Sequence, residues 1–152
     1  MMAVLDDSLV GAPEVYLTPA VRPSLSEAQA WCKHLATTHY ENFHVATFFL
    51  PAGLRPHFHS VYAFCRTSDD LGDEVADTAT ATRLLGQWRG MLRQCFEAPE
   101  LSRHPVFVAL QPTIAAMQLP VQPFDDLISA FEHDQVHTHH ESLESLEVYS
   151  RY

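Results

Sequence analysis

The run of sequence richest in chemistry is Tyr62-Ala-Phe-Cys-Arg66-Thr-Ser-Asp69-Asp70-Leu-Gly-Asp73-Glu74. Tyr62, Arg66, Asp69 and Asp73 recur at intervals of 4, 3 and 4 residues. On a helix that spacing sets all four on one stripe, and Asp77 continues it one turn further. Like charges at i,i+4 destabilise a helix by roughly 0.2–0.5 kcal/mol. Carboxylates sharing a stripe with Phe58 and Tyr62 are also expected to face the interior, where an unpaired charge costs far more. A divalent cation compensates directly. Mg²⁺ takes oxygen ligands, commonly one or two carboxylates together with substrate phosphates. Arg66, one turn before Asp69, is placed to pair with Asp70 or to touch a diphosphate, for which a planar guanidinium fork is well suited. The competing reading is a solvated acidic helix end, or a set of ion pairs.

Such a stripe has to be held by helices, and the sequence supplies them. Ser24-Leu-Ser-Glu27 has the spacing of a capping box. Ala28, Trp31, Cys32 and Leu35 then recur at helical intervals and predict a first helix to about Thr38. The stripe lies on a second helix, from near Pro56 to about Ala76, with Phe58, Val61, Tyr62 and Cys65 on its apolar side. A third spans about Ala81 to Phe96, with Leu84, Leu85, Trp88, Met91, Leu92 and Cys95 inward. Pro105 opens a fourth, which Pro112 is expected to kink or divide. Pro123 opens a fifth, with Phe124, Leu127, Ile128 and Phe131 on one side. A last helix starts near Ser142 and carries Leu143, Leu146 and Tyr149. No alternating strand pattern is present, so the fold class is all-α. Residues 1–23, with Gly11, Pro13, Pro19 and Pro23, read as an extended or loosely docked arm. Residues 24–152 form the helical part. The pattern is still periodic at Tyr152 and meets no stop signal, so truncation within a larger domain is expected.

Composition narrows the function. The 152 residues carry 9 Lys plus Arg against 19 Asp plus Glu, a formal charge of −10, and 47% are hydrophobic. That balance opposes nucleic-acid binding, which needs a basic footprint, and suits a cation site. Lys33 is the only lysine. Cys32, Cys65 and Cys95 are odd in number, far apart and set among apolar helical positions, which reads as three buried, reduced thiols of a cytoplasmic protein. No segment approaches the ~20 apolar residues of a membrane span, and the start has no basic end of a signal peptide.

The stripe does not stand alone. His39-Tyr-Glu-Asn-Phe43, Leu50-Pro51, Leu54-Arg-Pro-His-Phe58, Val61-Tyr-Ala-Phe-Cys-Arg66 and Ser68-Asp-Asp-Leu-Gly-Asp-Glu74 together resemble the squalene/phytoene synthase family. The His-Tyr-Glu-Asn-Phe start is most similar to the bacterial hydroxysqualene synthase branch. Asp134-Gln135 and Tyr149 are similar to a later active-site stretch, so the resemblance runs from about Ser24 to Tyr152. It implies the N-terminal half of the isoprenoid synthase helical fold. By that resemblance Asp69 and Asp73 match the first Mg²⁺-binding motif. Arg66 matches a diphosphate contact, Tyr62 a cavity residue beside it, and Asp134 and Tyr149 residues lining the pocket. His39 and Phe43 match the stretch that closes one end of the site, where Tyr40 and Asn42 replace the serines of many relatives.

The resemblance further implies a second aspartate motif on a facing helix, with three Mg²⁺ between the two. That motif is expected beyond Tyr152, in the missing C-terminal half of the same enzyme. The implied reaction converts presqualene diphosphate to hydroxysqualene, or joins two prenyl diphosphates such as farnesyl diphosphate, in a cytoplasmic protein with peripheral membrane contact. The alternative is an inactive helical fragment serving as a binding module.

Other clusters are weaker. His133, His137, His139 and His140 suggest zinc, but no Cys or His pair elsewhere completes a site, and a polar connecting segment is the preferred reading. His57 and His59 are expected at the surface or just behind the site. No hydrolase nucleophile motif is present. Phe43, Phe48, Phe49, Phe58 and Phe64 serve either a prenyl cavity or ordinary core packing. Phe58, Trp88 and Phe131 are expected on faces that need cover from chain beyond residue 152.

Overall fold

The computed structural model describes the backbone of residues 9–39 and 47–139, and side chains as far as Gln135 in the last helix. These residues form α1 (Leu25–His39), α2 (Arg55–Asp73), α3 (Thr78–Glu97), α4 (Pro105–Met117) and α5 (Gln122–His139). No strand occurs among the described residues. The all-α expectation holds, and no described helix is long and apolar enough to cross a membrane. The helix expected from Ser142, with Tyr149, lies outside the described residues, as does Phe43.

Local signals set the helix ends. Ser24 and Glu27 close the capping box reciprocally, at 3.1 and 3.0 Å. α2 stops at Asp73, short of the expected Ala76, because the Glu74 N–H closes the last turn on the Asp70 carbonyl. Asp77 therefore does not continue the acidic stripe. Its carboxylate accepts the Thr80 N–H at 2.7 Å and caps α3. Pro112 does not divide α4, which runs unbroken through it. An internal proline costs a helix about 3 kcal/mol. Here every residue from Pro105 to Leu110 is buried, and tertiary packing offsets the loss.

α2 packs on α1, α3, α4 and α5, so it is the hub of the described bundle. Its core side is not the expected one. Ser60, Ala63, Phe64, Thr67, Ser68 and Leu71 are buried, whereas Phe58, Val61 and Tyr62 are half-buried and Cys65 is exposed. Small polar residues disguise the true core face; hydrogen bonds make the burial of Ser60 and Ser68 tolerable, whereas Thr67 Oγ1 is buried without a hydrogen-bond partner. Ser68 donates to the Phe64 carbonyl at 2.7 Å and accepts from Trp88 Nε1–H at 2.9 Å. Ser60 donates to the His57 carbonyl at 3.0 Å.

The core is aromatic. Trp88 meets Phe107 at 4.5 Å, His104 at 5.0 Å and Phe64 at 5.9 Å between ring centres. Trp88 is fully buried by these neighbours, contrary to the expectation that it needs further chain, while Phe131 is half-buried. Phe64 is core, whereas Phe48 and Phe49 are exposed and touch each other edge to face. Cys32 and Cys95 are buried as expected, and burial pushes both thiols up to about 12.

Residues 9–23 are docked firmly rather than loosely. Arg83 holds the Val10 carbonyl at 2.6 Å, Arg22 reaches the Pro99 carbonyl at 2.7 Å, and Arg103 reaches the Ala20 carbonyl at 3.2 Å. His104 Nε2–H donates to the Tyr16 carbonyl at 2.9 Å. Leu9 and Tyr16 join the core cluster.

Candidate active site

The stripe on α2 forms as the spacing predicts. With Ala63, Phe64, Ser68 and Leu71 turned inward, Tyr62, Arg66, Asp69 and Asp73 are left on the more open side of the same helix. Tyr62 stacks on Phe58, with ring centres 6.3 Å apart.

Arg66 bridges the acidic run. Its guanidinium lies 3.2 Å from Asp69 Oδ2, and Nε donates to Asp70 Oδ1 at 3.1 Å, with Nη2 bonded to the same oxygen. The Asp70 hydrogen bonds are the main force holding the guanidinium charged, well above its ordinary pKa. Asp70 is buried, at 5% exposure, and its other oxygen accepts from the Tyr16 hydroxyl. Tyr16 itself is 1% exposed. Burial first, then the Asp70 hydrogen bond and charge, hold its phenol above the ordinary value. The three adjacent acids thus divide. Asp70 is enclosed by Arg66 and Tyr16, while Asp69 and Asp73 share the open side.

Asp69 and Asp73 stand one turn apart on the same side of α2. Burial, then the neighbouring Asp73 carboxylate, holds the Asp69 carboxyl above its ordinary pKa, with Arg66 pulling the other way. Two carboxylates brought this close share a proton or a cation. No group of three His, Cys, Asp or Glu side chains is gathered among the described residues. Two hard oxygen donors fit Mg²⁺, which keeps waters and substrate oxygens in its shell, better than a metal needing a full protein cage.

His39, at the end of α1, lines the same cleft of about 350 Å³ as Arg66, Asp70 and Tyr16. Asp134 is exposed on α5. Its neighbour Gln135 is buried and donates to the Gly72 carbonyl at 2.6 Å, next to Asp73. A Cβ at Gly72 would stand 3.3 Å from that amide, so the absence of a side chain lets α5 approach. Tyr62, Arg66, Asp69 and Asp73 therefore share one side of α2, His39 meets Arg66 at the cleft, and Asp134 stands on α5 next to Gln135. Phe43 and Tyr149 fall outside the described residues.

Sequence reasoning missed Tyr16, which no local pattern marks, and used Gln135 only as part of a motif. His59 departs from expectation. It is buried, and burial, then Lys33 and Arg55, hold its pKa low. It lines a separate cleft of about 470 Å³ with those two cations, away from the acidic stripe. His57 is half-buried, with Nδ1 2.7 Å from Thr113 Oγ1. Among the four histidines considered for zinc, His133 is exposed and the side chains of the others are not described.

Comparison with known proteins gives a consistent picture. The family model described as squalene/phytoene synthase matches residues 36–152. A phytoene synthase of Arthrospira platensis is 27% identical over 87% of this chain and 41% of its own length. A 15-cis-phytoene synthase of Synechococcus elongatus is 32% identical over 83% of this chain and 40% of its own. The chloroplastic phytoene synthase 1 of Arabidopsis thaliana is 23% identical over 94% and 33%. The chain thus spans about two fifths of the length of the first relatives it matches. No solved structure gives a significant match. Because the matched region takes in most of the chain and the whole acidic stripe, this chain belongs to the squalene/phytoene synthase family.

Proposed function

We propose that this chain forms one wall of a Mg²⁺-dependent prenyl diphosphate synthase site. The observation that carries the reading is that Asp69 and Asp73 stand one turn apart on one side of α2, with the Arg66 guanidinium 3.2 Å from Asp69. Asp69 and Asp73 would hold the metal, which when bound supplies charge neutralisation at the diphosphate. Arg66 meets the diphosphate oxygens, and His39 and Phe43 close that end of the site. Tyr62, Asp134 and Tyr149 line the cavity in which the prenyl chain reacts. The facing carboxylates come from chain beyond Tyr152, in the C-terminal half of the same enzyme.

The test is turnover by the full chain and calorimetric binding of Mg²⁺ with inorganic pyrophosphate. Asp69→Asn and Asp73→Asn should each lower both by about 10²-fold or more while the helical content persists. Near-normal activity in both variants would remove these residues from the mechanism.

For the reaction, the His39-Tyr-Glu-Asn-Phe43 start supports ionisation of presqualene diphosphate and capture of the cation by water, giving hydroxysqualene. The names of the relatives favour a second reading, the joining of two prenyl diphosphates. Incubation with presqualene diphosphate and, separately, with farnesyl diphosphate distinguishes them. Hydroxysqualene from the first substrate alone supports the first reading, and a coupled hydrocarbon supports the second.

A further inference from the structure

We propose that Tyr16, on the N-terminal arm, is a positioning residue that fixes the Arg66 guanidinium beside the Asp69–Asp73 pair by holding Asp70. This rests on the reading of that stripe as a diphosphate site.

The chain of contacts is continuous. The Tyr16 hydroxyl donates to Asp70 Oδ2, and Asp70 Oδ1 accepts from Arg66 Nε and Nη2. Arg66 then reaches Asp69 at 3.2 Å. Arg66 alone could not hold Asp70 in one rotamer, because a guanidinium on a flexible stem moves with its partner. Tyr16 supplies the fixed point. Its ring is buried edge-on to Trp31, with centroids 6.3 Å apart, and its carbonyl is held by fully buried His104 at 2.9 Å. A phenol has only two side-chain torsions, so a packed ring places its hydroxyl closely. Placement matters here, since a misplacement of about 1 Å in a binding group can cost 10²-fold. Tyr16 is 54 residues from Asp70 in sequence, so the contact brings the arm into the site's support.

The experiment is calorimetric titration of the full chain with Mg²⁺ and inorganic pyrophosphate, with thermal unfolding measured alongside. Tyr16→Phe keeps the ring and removes only the hydroxyl. It lowers the melting temperature, because Asp70 Oδ2 loses its donor, but at a temperature where the variant is still fully folded it should weaken binding about tenfold, which a purely structural residue does not do. Arg66→Lys should weaken binding too, and adding Tyr16→Phe to it should cost nothing further, because both act through one guanidinium. As a control, Arg83→Gln releases the arm at Val10 and should leave binding as it was. Equal losses in Tyr16→Phe and Arg83→Gln would make the effect one of arm docking and overturn the proposal. Normal binding in Tyr16→Phe with weak binding in Arg66→Lys would overturn it and leave the diphosphate reading standing. Normal binding in both would remove the diphosphate reading and this inference together.

Discussion

Asp69, Asp70 and Asp73 look alike in the sequence, and what separates them is where their oxygens end. Asp70 points into Tyr16 and Arg66, so its removal leaves a buried hydroxyl and a half-buried guanidinium without their acceptor. Asp70→Ala should therefore destabilise the fold by roughly 1–3 kcal/mol, read by urea unfolding. Asp69→Asn should stay within about ±0.5 kcal/mol, or stabilise slightly, because it relieves repulsion from Asp73 and buries nothing new. The reverse order of effects would mean that Asp69, not Asp70, is the structural member of the run. The pairing of Asp69 with Asp73 was legible in the sequence because i,i+4 geometry is local. Asp70's role was not, since its second partner lies 54 residues away on a segment without period.

At the scale of elements, histidine capping of α4 ties the arm to the bundle. The Val106 N–H donates to His104 Nδ1 at 3.2 Å, while Nε2–H donates to the Tyr16 carbonyl. Those two bonds require the neutral ring with its proton on Nε2. Trp31, Trp88 and Phe107 surround it, and burial pushes its pKa down to about 4 from 6.5. The unfolded chain therefore binds the extra proton first. Stability from this group is complete above about pH 6.5 and is lost as pH falls toward 4, by an amount on the order of 2–4 kcal/mol. Melting curves between pH 7.5 and 4 should show this decline. His104→Gln should be less stable at neutral pH but lose the part of the slope due to this ring. A slope identical in both proteins would acquit His104. Helix starts at Ser24 and Pro105 were readable because caps and prolines act within one turn. The inward face of α2 was not, because Ser60, Thr67 and Ser68 are buried there and look polar in any periodic pattern.

For the molecule as a whole, diphosphate ionisation needs charge stabilisation from more than one side of the leaving group. Residues 1–152 hold one acidic stripe. That stretch alone should be helical by circular dichroism yet inactive on presqualene and farnesyl diphosphates. Phe48 and Phe49, 76% and 77% exposed, and Val21 favour self-association on a sizing column. A monodisperse monomer with Mg²⁺-dependent product would overturn this expectation. The sequence by itself determined the helical class, most helix starts, the family and the Asp69–Asp73 pair, since each depends on residues within a few turns or on a motif read in order. Only the tertiary structure decided which side of α2 is core, that Asp77 caps a helix instead of extending the stripe, and that Tyr16 stands behind Asp70 and Arg66. Those outcomes depend on what packs against a residue from far along the chain, and contact between distant segments leaves no spacing to read.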